Sequence, residues 1–317
     1  MADISLTSSK LLVISGTANP ALAEQIAKHM GQPLCQVTLQ RFADGELFVR
    51  IDENVRGRDV FIIQPTCPPA ENIMELLLLL DAAKRASAAR VTAVVPYYGY
   101  ARQDRKDQPR VAISAKLMAD LITRAGADRA LSIDFHQHQI QGFFDIPVDH
   151  LYAAPVFVQY MRGKNLHNLV IVAPDVGSAK MARGFAKRLD ATFAIIDKRR
   201  PSPNVTEVVN VVGEVENRDC LIVDDMIDTG GTVSETAHAL KNLGARDIYC
   251  IATHALLSGP ARERLSSAPL TELAVTDTIP ISDDQKFDRL VVLSVAELIA
   301  KAIRYTHGDE SVSSLFV

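Results

Sequence analysis

Short runs rich in Val, Ile and Leu recur along the chain. Each is followed by a polar or glycine-containing loop and then by a stretch with helical spacing. The runs at Leu11–Ser15, Val60–Gln64, Val91–Pro96, Ala130–Asp134, Leu169–Ala173, Phe193–Asp197, Cys220–Asp225 and Ile248–Ala252 are nearly continuous rather than alternating. That is the mark of strands buried on both faces of a sheet. Strands of this kind separated by helices predict an α/β protein with mostly parallel sheets. Val233–Leu243 reads as a helix, and Val291–Ile303 as a last strand and helix.

The pattern repeats. Leu12-Val13-Ile14 matches Val170-Ile171-Val172, Arg58-Asp59-Val60 to Ile63 matches Arg218-Asp219-Cys220 to Val223, and Arg90–Val95 matches Arg246–Ile251. The offsets all fall near 160 residues, half of a 317-residue chain. A duplicated domain follows, with residues 1–150 as the first copy and 151–317 as the second. The last helix and tail could pack back on the first domain.

Composition narrows the class. At 48% hydrophobic the chain can bury full cores, and its net charge of −4 argues against a general nucleic-acid binder. It has no apolar run long enough to span a membrane, and Met1–Lys10 lacks a basic-then-apolar leader pattern. The four cysteines, Cys35, Cys67, Cys220 and Cys250, form no CxxC pair. They read as small core side chains in a reducing compartment, the cytoplasm.

The chemistry concentrates at Leu221–Thr232. An apolar strand leads to Asp224-Asp225, then Asp228-Thr229-Gly230-Gly231-Thr232, then a helix. Such a loop offers bare backbone N–H groups at a helix N-terminus, where the macrodipole favours an anion. Carboxylates alone would repel that anion, so the ligand carries hydroxyls or a metal beside its phosphate. A sugar phosphate meets both conditions. In the first copy the matching place holds Gln64-Pro65-Thr66-Cys67-Pro68-Pro69, where three prolines remove N–H donors.

Other segments carry candidate roles. Arg41–Glu46 is either a plain hairpin turn or a base site, with Phe42 stacking and Asp44 and Glu46 accepting amino protons around Gly45. Tyr97–Arg110, leaving the C-terminal end of a strand, has the composition of a lid with phosphate-binding arginines, or of a solvated loop. His136 and His138 follow a strand and read as metal ligands or as polar loop residues. Pro174-Asp175-Val176-Gly177-Ser178 is a second anion-cradle candidate, and its Asp175 could cap a helix or hold Mg²⁺ through water. Asp197-Lys198-Arg199-Arg200 ends a strand in three cations, suited to stabilising a transferring phosphoryl group. Glu310–Phe316 is a polar tail with an apolar anchor, and its serines either bind an anion or close the chain end.

The 42–46, 97–106, 134–145, 174–177, 197–201 and 224–232 segments, in this order, closely resemble those of the ribose-phosphate diphosphokinases of the bacterial and animal type. The resemblance runs from about residue 11 to 316. It implies two phosphoribosyltransferase-like domains. It also implies transfer of the diphosphoryl group of Mg-ATP to the anomeric hydroxyl of ribose 5-phosphate, giving phosphoribosyl diphosphate and AMP. It assigns Phe42, Asp44, Gly45, Glu46, Arg102 and Gln103 to ATP. Asp224, Asp225, Asp228, Thr229, Gly230, Gly231 and Thr232 go to ribose 5-phosphate, His136 and Asp175 to the metal, and Lys198 and Arg200 to catalysis. It further implies a homo-oligomer, a hexamer, and an allosteric site at Arg50, Ser311, Ser313 and Ser314.

The alternative is a non-catalytic regulatory relative, which would lose catalytic residues or carry lid insertions; Lys198, Arg200, Asp224, Asp225 and a compact lid are all present. A phosphoribosyltransferase or a regulator of that fold would need a base hood or a helix-turn-helix with a basic face, and neither is seen. Two departures stand out. Family members usually place a second glycine where Ser178 stands, and Ser would fit poorly if that position needs φ > 0. The lid reads Asp107-Gln108-Pro109 and Ala112-Ile113-Ser114 where relatives are commonly more basic.

Overall fold

The computed structural model describes residues 11–199 and 208–316. In chain order the first half holds β1 (Leu11–Ser15), α1 (Pro20–Met30), β2 (Val37–Arg41), β3 (Leu47–Ile51), β4 (Asp59–Ile63), α2 (Glu71–Arg85), β5 (Arg90–Val95), α3 (Ser114–Ala125), β6 (Arg129–Ile133) and β7 (Val148–Leu151). The second holds α4 (Ala154–Arg162), β8 (Val170–Ala173), α5 (Ala179–Leu189), β9 (Thr192–Arg199), β10 (Val208–Val212), β11 (Cys220–Ile227), α6 (Gly231–Asn242), β12 (Ile248–Ala255), α7 (Ala261–Ser267), β13 (Glu272–Thr276), β14 (Leu290–Leu293) and α8 (Ala296–His307).

The sheets show why the sequence repeats. One is parallel throughout in the order β1-β4-β5-β6-β7. The other runs β10-β9-β8-β11-β12-β13-β14, parallel except for the β9–β10 pair. Strands β8-β11-β12-β13-β14 repeat the order of the first sheet. The copies differ beside their first strands. In the first copy β2 and β3 form a separate two-stranded hairpin, while in the second β9 joins the sheet beside β8 and carries β10 at its edge. This makes one correction. The strand through Ile195 does not end before the cations: Lys198 and Arg199 lie within β9, opposite Val209 and Val208. The β-branched run at 208–212 supplies the antiparallel partner that extends it.

Both sheets are covered by helices and bury Val, Ile, Leu and Ala on strand after strand. The four cysteines are free and buried. Burial pushes the Cys35 and Cys220 thiols up to about 12, and Cys250 well above the usual thiol range. All three are therefore held as inert thiols near neutral pH.

The repeated Arg-Asp pairs have a physical role. Asp59 and Asp219, both buried, each take a forked arginine: Arg90 Nε donates to Asp59 Oδ1 at 2.8 Å, and Arg246 Nε to Asp219 Oδ1 at 2.8 Å. Each pair ties the foot of the second strand of the repeat to that of the third. The sequence match at Arg90 and Arg246 is one residue out of register, however. Val60 pairs with Val91 and Cys220 with Ile248, so Arg90 is the counterpart of Asp247. A one-residue slip would turn every side chain of β12 to the opposite face. Arg246 instead reaches its carboxylate from one position earlier.

The chain divides into two compact units. One runs to Tyr152 and takes in 278–280 and 294–317; the other holds Ala153–Asp277 and Ile281–Leu293. α8, beyond the boundary at 150 but expected to pack back on the first domain, belongs to the first unit and packs on α1. Its apolar face, with Leu298, Ile299, Ala302 and Ile303 buried, requires that cover. No described helix is long and apolar enough to cross a membrane.

Candidate active site

In the second unit, the corner between β11 and α6 collects the strongest chemistry. β11 runs to Ile227, two residues past the expected end at Asp225. Asp224 and Asp225 are therefore strand residues on opposite faces. The chain then turns through Gly230, which has φ +72° and leaves no room for a side chain: a Cβ there would sit 3.0 Å from Leu265 Cγ. Only glycine takes that left-handed turn without strain. α6 starts at Gly231, and its N-cap, Gly230, has no side chain to cap the N–H groups of the first turn. These donors face outward at the positive end of the helix, ready for an anion.

The carboxylates stand beside this cradle. The Asp225 N–H donates to Asp224 Oδ1 at 3.0 Å. Burial, with the charges of Asp225 and Asp175 added, pushes Asp224 up to about 8. The third carboxylate comes from the loop after β8. There the Ser178 N–H and Oγ both donate to Asp175 Oδ1, at 2.9 and 3.0 Å. Ser178 has φ −82° and ψ −3°, an ordinary helical pair, so the position needs no glycine and the loop keeps its shape. The hydroxyl gives Asp175 a second donor in addition to the amide.

Asp175, Asp224 and Asp225 are hard oxygen ligands of the kind Mg²⁺ prefers. Among the described residues no three His, Cys, Asp or Glu side chains are arranged to hold an ion unaided.

The first unit shows what became of the same corner there. Gln64 takes the place of Asp224 and Thr17 that of Asp175. From α2, the buried Glu75 reaches the loop after β1 and the end of β4, from the position that Glu235 holds on α6. Its carboxylate accepts the Thr17 N–H at 2.5 Å, the Thr17 hydroxyl at 2.7 Å and Gln64 Nε2 at 2.9 Å. Gln64 Oε1 in turn accepts the Ala18 N–H at 3.1 Å. Gly16 permits this closeness, since a Cβ there would be 2.2 Å from Gln64 Oε1. Glu75 thus ties Thr17 to Gln64 in the first copy, where the prolines of the 64–69 segment remove the N–H donors that an anion would need. Glu75→Ala would remove the acceptor of the exposed Thr17 N–H and hydroxyl and one of two acceptors of the buried Gln64 Nε2, which keeps the Asn72 carbonyl at 3.2 Å, at about 0.5–1.5 kcal/mol for each hydrogen bond lost. We expect a clearly lower urea midpoint for Glu75→Ala and a smaller drop for Glu75→Gln, which keeps one carbonyl acceptor.

Residues 11–126 match the family described as the N-terminal domain of ribose phosphate pyrophosphokinase, and residues 200–317 match the phosphoribosyl synthetase-associated domain. The ribose-phosphate pyrophosphokinase of Synechocystis is 53% identical over 97% of this chain and 93% of its own. Ribose-phosphate pyrophosphokinase 1 of Spinacia oleracea is 53% identical over 99% of this chain and 95% of its own. The chain belongs to the ribose-phosphate pyrophosphokinase family. A crystal structure of phosphoribosylpyrophosphate synthetase from Mycobacterium smegmatis shares the fold, with a TM-score of 0.90 and 43% identity over 95% of this chain and 99% of that one.

The other residues assigned through this pyrophosphokinase resemblance are distributed as follows. The 42–46 segment is the tip of the β2–β3 hairpin, closed by Phe42 N–H to Glu46 O at 2.9 Å. Phe42 is half-exposed and stands edge-on to Phe48 at 5.7 Å between centroids. The lid is not loose throughout: the Gln103 side-chain oxygen accepts from Ser114, and Asp104 Oδ2 accepts from Gln139 Nε2 at 3.1 Å. Arg102 and Gln103 lie in the first unit with His136, whereas Asp175 lies in the second. Lys198 is described only by its place in β9, and Arg200 lies outside the described residues. Arg50 bonds Asp52 and Thr38 on the hairpin. Ser311 and Ser313 bond each other at 2.7 Å and border a cleft of about 410 Å³ shared with Arg129, Asp149, Asp309 and Glu310. Arg50 does not line that cleft, and carboxylates outnumber cations in it.

Proposed function

We propose that this chain transfers the β,γ-diphosphoryl group of ATP to the anomeric hydroxyl of ribose 5-phosphate, forming phosphoribosyl diphosphate and AMP for nucleotide biosynthesis. The observation that carries the reading is the glycine-capped N-terminus of α6, one short turn after the β11 strand that bears Asp224 and Asp225. The 5-phosphate is assigned to the amides of Thr229–Thr232, with Asp228 beside them, and the ribose hydroxyls to Asp224 and Asp225. The anomeric oxygen attacks the β-phosphorus, the bond from that phosphorus to the α,β-bridging oxygen breaks, and the hydroxyl proton is lost. No covalent intermediate with the chain is needed. Alignment and charge stabilisation carry the rate.

Phe42, Asp44, Gly45, Glu46, Arg102 and Gln103 are assigned to ATP, Lys198 and Arg200 to the charge that builds on the β-phosphoryl group and the bridging oxygen. Mg²⁺ would be held by Asp175, with Asp224 and Asp225 near it, and would supply charge neutralisation of the phosphates. His136 is a softer ligand and is better suited to a phosphate oxygen than to Mg²⁺. We place the protein in the cytoplasm as a homohexamer, with phosphate or ADP regulation at Arg50, Ser311, Ser313 and Ser314. The buried thiols agree with a reducing compartment.

Chromatography of the nucleotides formed from ATP, Mg²⁺ and ribose 5-phosphate tests the reaction. AMP that appears only with the sugar phosphate is the expected product. ADP would make the chain an ordinary kinase. Light scattering checks the hexamer in the same samples.

A further inference from the structure

We propose that Arg264 is a phosphate-binding residue that gives the β11–α6 corner its selectivity for a sugar bearing a terminal phosphate monoester. The inference rests on the reading of that corner as the ribose 5-phosphate site, and it adds a residue outside the loop motif.

Arg264 lies on α7, far from the motif in sequence. α7 buries Ala261 and Leu265, and Leu265 is the side chain that closes against Gly230. The residue before it, Arg264, is thereby set at the mouth of the loop. Arg264 Nη1 donates to the Thr229 carbonyl at 3.2 Å. The same nitrogen is 3.7 Å from where a Cβ on Gly231 would stand, beside the first amides of α6. Arg264 is exposed, and among the described residues it pairs with no carboxylate.

This placement is unfavourable without a ligand. A guanidinium at the N-terminal end of a helix meets the positive pole of the dipole, where an anion belongs. An arginine there becomes favourable when a dianion sits between the two. Nη1 is spent on the Thr229 carbonyl, which fixes the plane of the fork and leaves its other N–H groups for phosphate oxygens. The corner also gains from a cation, because Asp225 and Asp228 put carboxylates in the same segment that would take a dianionic phosphate. Lysine would supply charge without the planar fork.

Arg264→Gln and Arg264→Lys test the proposal, read by calorimetric Kd for ribose 5-phosphate and by steady-state kinetics. Arg264→Gln is expected to raise Kd and KM for ribose 5-phosphate by about 10–100-fold, as the loss of a charge-assisted contact would. KM for ATP should stay within about twofold, and Arg264→Lys should fall between the two proteins. A melting temperature matched to the parent shows that the fold is kept. Gly230→Val, which blocks the loop itself, separates the two readings. If it abolishes ribose 5-phosphate binding while Arg264→Gln leaves Kd within about twofold, the site stands and the role of Arg264 is overturned. If neither variant alters binding, the β11–α6 reading falls and Arg264 with it. If Arg264→Gln fails to fold, the Arg264→Lys protein decides: an unchanged Kd there overturns the requirement for the fork.

Discussion

Asp224→Asn is expected to lower turnover by about 10²–10³, as lost transition-state contacts do, while making the folded protein more heat-stable at pH 8. The two effects have one cause. Burial and the neighbouring Asp225 and Asp175 charges hold the Asp224 carboxyl up at about 8 in the folded chain, against 3.8 for an unperturbed group. A carboxyl raised on folding binds its proton more tightly in the native state, so stability declines as pH rises from about 4 towards 8. The penalty is small at pH 4 and nearly complete by pH 8. Asparagine has no proton to lose and escapes it. The melting temperatures of parent and variant should therefore nearly coincide at pH 4 and separate progressively up to pH 8, with the variant higher. Scanning calorimetry across that range checks this. Equal separation at all pH values would mean that the carboxyl is not strained by its surroundings. A ligand that brings a cation to the site relieves the same strain, so Mg²⁺ with ribose 5-phosphate should stabilise the parent far more than Asp224→Asn.

Lys198→Ala carries the other large effect. Lys198 lies near the C-terminal end of β9, and β9 runs parallel to β8, whose own C-terminal end leads into the Asp175 loop. Ligands of parallel α/β sheets gather at that end. A cation there that acts on the charge developing at the β-phosphoryl group contributes in the transition state and little to ground-state binding. Turnover should drop by about 10²–10³ with KM for both substrates nearly unchanged. Steady-state kinetics decides it: a raised KM with turnover intact would assign Lys198 to substrate binding instead.

Much of the fold was legible because buried parallel strands are nearly pure apolar runs. β1, β4, β5, β6, β8, β11 and β12 all stand within a few residues of where those runs predict them. The duplication was legible for the same reason, since each copy must bury the same strands in the same order. Errors came where long-range pairing decides. The Arg90–Arg246 match was drawn on residue type, but β-sheet register put Arg90 opposite a different counterpart. β9 runs past Asp197 because β10 pairs with it, a long-range partner that the local apolar run does not announce.

At the site, the Asp-Asp and Gly-Gly corner announced itself, since its function depends on consecutive residues. Glu75 has a sequence signal, a carboxylate within the apolar run of α2 where leucines fill the buried positions around it. Arg264 left none, because its contact with Thr229 joins residues 35 apart. Whether Ser178 strains its loop depends on φ, which residue type alone leaves open; the dihedrals make the position an ordinary helix start.

The most direct test of diphosphoryl transfer uses ATP labelled with ¹⁸O at the α,β-bridging position. Labelled ATP, Mg²⁺ and ribose 5-phosphate are incubated with the protein, followed by phosphorus NMR and mass analysis of the products. Attack of the anomeric hydroxyl on the β-phosphorus predicts AMP that retains the label, formed together with a new diphosphate on the anomeric carbon. ADP as the nucleotide product, AMP without the label, or bound substrates with no turnover would each contradict the account.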